Sequence, residues 1–492
     1  MTADDTSAPV ATSGHIVRGV AWGTVSRAAQ LGSGLLTTLF LARLLAADDF
    51  GLVSMSAIFL SVCSAFADFG IRAYLVQRRS LTHEEIHTAT SASWLIGLAI
   101  FTVGILAAWP LASFYHAPKL SYIVIAQSGA YLLLNAGAVP SALLARRLDY
   151  RRISIAEACS SLTYPATAIP LAYFGCHSWS IVIGRLAQAG VGLALVAPSV
   201  HSLVPGRVSG SALQRLLRFG GLVVIASALT QLDENLDNIC VGHYFGSAAL
   251  GTYSLAYNVA TIPQKYAAFM IAAIAFPALS ASRVSGSFAD AAARFTKYQV
   301  LVPVFLSLMV GVYAQEACAL LIGNRWGDAW KITGIMSLSG AALSVATVVG
   351  GTLLAGGRPG VLLLFHAAKA FVTLCFLNAF RVRGVSGVAL GFALANCLML
   401  MAGLALAGRC TSTTWTALPR AIARPLLAVL TGVGASYLFR TLLVERGFGT
   451  FPVLTISGGA GVLCYLVVAL AVSRSELTDV ASAIRAAVRV SS

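Results

Sequence analysis

The chain has 492 residues, of which 58% are hydrophobic and 10% charged, with a net charge of +15 and a mean hydropathy of +0.82. A soluble domain carries about 25% charged residues, so this composition excludes an ordinary soluble protein and points to a chain that crosses a membrane many times. A strongly basic soluble chain would suggest nucleic acid as partner. Here Lys and Arg sit in short loops between apolar runs, which reads as an orientation signal and contact with membrane lipids, and no nucleic-acid partner is expected.

Residues 1–15 form a polar, flexible tail, with no short apolar core and small-residue cleavage site of a removed signal peptide. Apolar runs long enough to span a bilayer then follow at about 18–43, 51–73, 91–113, 120–144, 154–174 and 178–198. A basic linker at 201–218 separates them from a second set at about 219–243, 252–277, 298–321, 332–355, 361–380 and 385–407. Two more runs, within 425–472, precede a tail at 473–492. The expected fold is all-α and polytopic, with about fourteen transmembrane helices. An N-lobe (16–200) and a C-lobe (219–408) of six helices each are followed by two extra helices. The 201–218 linker and the tail read either as amphipathic helices on the inner leaflet or as mobile loops.

Alternate loops differ in charge. One side holds about 20 Lys/Arg and the other about 7, and this bias places both termini in the cytoplasm. Nine cysteines are scattered without metal spacing and read as small hydrophobes. His83 and His87 lie in an amphipathic loop and are not read as a metal site. No Walker A loop and no catalytic constellation occurs, so neither cofactor nor enzymatic activity is expected.

Two turns echo each other. LAADDFGLVS (45–54) and FGSAALGTYS (245–254) each join the first two spans of a half, with Gly51 matching Gly251. Six plus six helices in the same orientation is the pattern of a parallel repeat.

The informative residues are charges within apolar runs. One charge near the bilayer centre costs roughly 2.5–3.5 kcal/mol. The cluster Asp233, Glu234 and Asp237 must therefore face protein, a wet cavity or an ion. Asp233 and Asp237, four apart, share a helix face. This cluster is the candidate for ion coupling or gating ion pairs. Arg27, Lys265, Lys369 and Arg185 are candidate cavity cations, suited to an anionic headgroup. Tyr253, Tyr257 and Asn258 are candidate sugar contacts, with helix packing as the alternative for the tyrosines. Asp68, Arg72, Glu157 and Glu316 read either as structural ion pairs or as further cavity groups.

The segment LARLLAADDFGLVSMSAIFLSVCSAFADFGIRAYLVQRRSLTHEE (41–85) resembles the opening of bacterial polysaccharide transporters of the Wzx/WzxC type, within the multidrug, oligosaccharidyl-lipid and polysaccharide exporter superfamily. NLDNICVGHYFGSAALGTYSLAYNVATIP (235–263), FPALS (276–280), VPSALLARRLDYRR (139–152) and GNRWGDAW (323–330) are similar to further segments of that family. The resemblance covers roughly 18–400. It implies two lobes around a central cavity, alternating access, and a polyprenyl-pyrophosphate-linked oligosaccharide flipped across the bacterial inner membrane. Other polysaccharide-assembly proteins are candidate partners. His243 and Tyr244 depart from the small or basic residues expected before the second turn. A small-molecule exporter of the same superfamily is the rival reading; it expects a more apolar or acidic pocket.

Overall fold

The computed structural model describes residues 13–67, 71–78, 81–199, 210–410 and 417–472. The expected N-terminal tail lies almost wholly outside the described residues. Asp68, the 201–209 part of the basic linker and the 473–492 tail lie entirely outside them.

The described chain is helical, with no strand among the described residues. Its helices are α1 (Ser13–Leu44), α2 (Ala47–Ala67), α3 (Ile71–Gln77), α4 (His83–Phe114), α5 (Leu120–Ala136), α6 (Ala138–Arg146), α7 (Tyr150–Tyr173), α8 (Ser178–Val196) and α9 (Gly210–Ala260). They continue as α10 (Phe269–Ser285), α11 (Phe288–Gln299), α12 (Phe305–Val312), α13 (Ala314–Leu321), α14 (Ala329–Ala355), α15 (Pro359–Phe380), α16 (Gly384–Cys410), α17 (Ala417–Glu445), α18 (Thr450–Pro452) and α19 (Gly458–Val472). Ten described segments are long and apolar enough to cross a membrane. One of them, Gly360–Arg409, is α15 and α16 joined through a tight turn at Arg381–Arg383. Helices α1, α7 and α9 are also long enough to span, but they carry Arg27, Gln30, Glu157 and the 233–237 acids, which lower their apolarity.

Local chemistry explains several boundaries. The fourth helix starts at His83, earlier than its apolar run, because Thr82 and Glu85 form a reciprocal capping box. Tyr74 donates to Glu85 Oε1 at 2.9 Å, and Arg78 lies 3.3 Å from the same oxygen. The hydrogen bond to Tyr74, followed by the charge of Glu85, raises the Arg78 pKa above its ordinary value. Helix α9 breaks at Gly246, whose φ of 83° and ψ of −179° no helix accommodates.

The chain forms two compact units, residues 1–251 and 252–490. In the first, α7 packs against α1 and α8, and α5 against α2, α4 and α8. In the second, α14 packs against α10, α12 and α16, while the C-terminal α17 and α19 pair with each other and α17 also meets α11 and α16. Val345, Val348, Leu353, Leu301, Phe305, Leu404 and Val429 form the core of this second unit, with Tyr465 from α19 stacked on Phe305 at 4.1 Å between centroids.

The two turns paired by their sequences meet in the first unit. A Cβ on Gly51 would collide with the backbone of Ser247, and a Cβ on Gly251 with the backbone of Ala47. The contact is reciprocal and both halves share one sequence offset. Only glycine allows two backbones this close. Asp48 accepts a hydrogen bond from Ser247 across the same junction.

Candidate functional site

Helices α1, α7 and α8 build a polar cavity inside the first unit. It measures about 480 Å³ and is lined by Arg27, Gln30, Glu157, Tyr164, Arg185 and Gln188, among others. A neighbouring cavity of about 360 Å³ shares Glu157, Ser160 and Gln188 and adds Arg72. The elements place these groups by simple spacing. Arg27 and Gln30 are three apart, and so are Arg185 and Gln188, so each pair shares one helix face.

The cavity walls are ordered by hydrogen bonds. Glu157 Oε2 accepts from Ser26 Oγ at 2.5 Å and from Gln30 Nε2 at 3.0 Å. The Arg185 guanidinium lies 4.2 Å from the Tyr164 ring centre and donates to Gln188 Oε1 at 3.2 Å. Ser160 Oγ donates to the Gln188 carbonyl at 2.8 Å. Two guanidiniums, a carboxylate and two amides thus line one concavity among apolar helices. Such a surface can replace the hydration shell of an anion.

The structure brings Arg27 and Arg185 together at this cavity. Asp233 and Asp237 are fully buried in α9, while Glu234 one residue on is exposed, as four-residue spacing requires. Asp237 Oδ1 accepts from Asn238 Nδ2 at 3.3 Å. His243 stacks on Phe114 at 4.3 Å, with its Nδ1 2.8 Å from the Phe114 carbonyl, so it packs against the end of α4.

In the second unit, Lys265 sits in a π-helical turn, Gln264–Ala268. Its Nζ donates to Asn258 Oδ1 at 2.7 Å and lies 5.6 Å from the Tyr257 ring centre. Lys265, Tyr257 and Asn258 therefore form one polar group, with Lys265 and Asn258 exposed and Tyr257 half-buried. Tyr253 is fully buried, with its hydroxyl 3.9 Å from Met336 Sδ, a packing position. Lys369 is buried in α15.

Glu316 was read from the sequence as an ion-pair or cavity group, but its partner was not assigned, nor was any role for Asp49. Glu316 is paired with Arg440, whose Nε and Nη2 both lie 2.8 Å from Glu316 Oε1. Asp49 Oδ1 accepts from Ser178 N at 3.0 Å and Ser178 Oγ at 2.7 Å, capping the N-terminus of α8 from the start of α2. The one available signal for Asp49 was an acid in a first helical turn. For Arg440 it was an opposite charge at the matching end of another apolar run.

The fold defines a class: an all-helical protein with ten described segments long and apolar enough to cross a membrane. The structure aligns with the inward closed conformation of the lipid II flippase MurJ at a TM-score of 0.75 and 13% identity, over 93% of this chain and 100% of that one. It aligns with the inward-facing conformation of a multidrug resistance MATE family transporter at 0.58 and 12%, over 82% and 99%. Residues 40–331 match the family described as polysaccharide biosynthesis protein, and the chain belongs to that family. It is 24% identical over 395 residues to the lipopolysaccharide biosynthesis protein WzxC of Escherichia coli (strain K12), covering 77% of this chain and 78% of that one. It is 24% identical over 411 residues to the succinoglycan biosynthesis transport protein ExoT of Rhizobium meliloti (strain 1021), covering 77% and 81%. The teichuronic acid biosynthesis protein TuaB of Bacillus subtilis (strain 168) is 24% identical over 412 residues, covering 81% and 83%.

Proposed function

We propose that this protein is a transporter that flips a polyprenyl-pyrophosphate-linked oligosaccharide, a repeat unit of an exopolysaccharide or lipopolysaccharide, from the inner to the outer leaflet of the bacterial inner membrane by alternating access. Both termini lie in the cytoplasm, and about fourteen helices cross the bilayer. The observation that supports the reading is the cavity that Arg27 and Arg185 both line. A pyrophosphate leaving water needs fixed cations and donors, and two guanidiniums present both in a form suited to phosphate oxygens. An exporter of apolar or cationic small molecules has no use for that pair.

Lys265 and Lys369 are further headgroup cations on the same reading, and Tyr257 with Asn258 offers a ring face and an amide to a sugar. Asp233, Glu234 and Asp237 couple transport to an ion or gate it. The cargo's polyprenyl tail stays in lipid, and other polysaccharide-assembly proteins take over the product. The test is charge reversal in cells. Arg185→Glu and Lys265→Glu should each abolish polymer export at normal protein level and trap lipid-linked oligosaccharide in the inner leaflet. Normal export by both variants would withdraw the anionic-headgroup reading.

A further inference from the structure

The second unit holds another cavity, of about 480 Å³, formed where α13 and α17 end and α14 begins. Trp326 and Trp330 line it, together with Glu316, Arg440, Phe448 and Thr450. We propose that it is a saccharide site that receives a neutral pyranose residue. This assignment rests on the cargo reading above and adds to it a second sugar contact, at an end of the helices rather than in their middle.

Three observations carry the proposal. The first is the incomplete valence of Glu316. This side chain is 8% exposed, and Nε and Nη2 of Arg440 both fall on Oε1. Its Oε2 is buried without a hydrogen-bond partner. A buried carboxylate oxygen without a donor is costly, and native structures rarely leave one so. A hydroxyl in the adjacent cavity would complete it after a small rotation of the carboxylate.

The second observation is the donor beside it. Arg440 reaches Glu316 through Nε and Nη2 and Gln315 Oε1 through Nη2 at 3.4 Å. Its Nη1 makes none of the hydrogen bonds among the described residues. The carboxylate–guanidinium pair therefore keeps one acceptor and one donor unused, on two residues that both line the cavity. Two neighbouring hydroxyls of a pyranose match this pattern, one donating and one accepting. The charges of the pair cancel, which favours a neutral sugar over a charged one.

The third is the aromatic wall. Indole faces are electron-rich and accept the C–H face of a pyranose, while the amphipathic ring of Trp tolerates water at its edge. Aromatic rings at helix ends also anchor membrane proteins at the interface. Anchoring alone accounts for neither the concavity nor the open carboxylate oxygen. The cavity volume is within the roughly 300–1,000 Å³ of small-ligand sites.

The test uses the full-length protein in detergent and, as probes, methyl glycosides of glucose, galactose and N-acetylglucosamine, followed by saturation-transfer difference NMR. At least one glycoside should give a signal that saturates at millimolar concentration, in the range of about −4 kcal/mol. Trp330→Ala, at a half-exposed position that tolerates truncation, should weaken that signal about ten-fold, a loss of about 1.4 kcal/mol. Glu316→Gln should weaken it likewise. If Glu316→Gln fails to fold, Trp330→Ala and Phe448→Ala decide. The proposal is overturned if no glycoside gives a saturable signal, or if the signal persists undiminished in Trp330→Ala and Phe448→Ala. Lipid-linked oligosaccharide flipping is measured in parallel on wild-type vesicles. Glycoside binding without flipping removes the cargo reading and leaves the sugar site; flipping without glycoside binding does the reverse.

Discussion

Replacing Gly51 by Ala tests the reciprocal backbone contact of the two echoed turns. The added Cβ would lie 2.8 Å from Ser247 Cα and nearer still to the carbonyl of that residue, whereas ordinary contact begins at 3.4 Å. The two backbones would have to part by more than the 0.6 Å between those values, because the nearer carbonyl, not Cα, sets the separation. No side-chain rotation can relieve the clash, because every offending atom is backbone. Overpacking a tight site costs typically about 1–3 kcal/mol, and the absence of any flexible neighbour puts Gly51→Ala at the upper end. Gly251→Ala should cost the same, since its Cβ would lie 2.8 Å from the Ala47 carbonyl carbon. The double variant should cost less than the sum, because the separation that admits one methyl also admits the other. Gly190→Ala, where nothing lies within 4 Å, is the control and should be neutral or stabilising. The assay is thermal unfolding of detergent-solubilised protein. Gly51→Ala unfolding at the temperature of the Gly190→Ala control would refute the contact.

Other outcomes follow from the same geometry. Arg440→Ala strands the buried Glu316 carboxylate and should cost about 3–5 kcal/mol, whereas replacing both by Met should restore most of the thermal stability. Asp237→Asn should fold, and in reconstituted vesicles lose its dependence on the proton or sodium gradient; poor expression, rescued by reversing a partner charge, would instead mark a structural ion pair. Reporter fusions after Arg152 and Arg218 should report cytoplasm, and fusions near Ala47 and Ser247 the outside; a reversed pattern would sink the orientation.

Much of the fold was legible because a bilayer-length apolar run can be read one segment at a time. The 82–85 capping box was equally local, although its effect was to start α4 inside what read as a loop. The pairing of Gly51 with Gly251 was legible only as likeness, and the structure turns that likeness into a contact. The site was less legible because its partners are distant in the chain. Glu157 stood out as an acid in an apolar run, but its hydrogen bonds come from Ser26 and Gln30 on another helix. Glu316 and Arg440 are 124 residues apart, and nothing local marks them as a pair. Tyr253 and Tyr257 share a helix face by spacing, yet Tyr253 is fully buried beside Met336 while Tyr257 meets Lys265. That difference is set by which neighbouring helix each one reaches.

The central claim is movement of a lipid-linked oligosaccharide between leaflets. It is tested most directly by purified protein in sealed vesicles holding a fluorescent polyprenyl-pyrophosphate oligosaccharide, with a membrane-impermeant reagent reporting the outer leaflet. Wild-type vesicles should expose the labelled sugar faster than protein-free ones, and Arg27→Glu with Arg185→Glu should return the rate to that of empty vesicles. Equal rates with and without wild-type protein would contradict the claim.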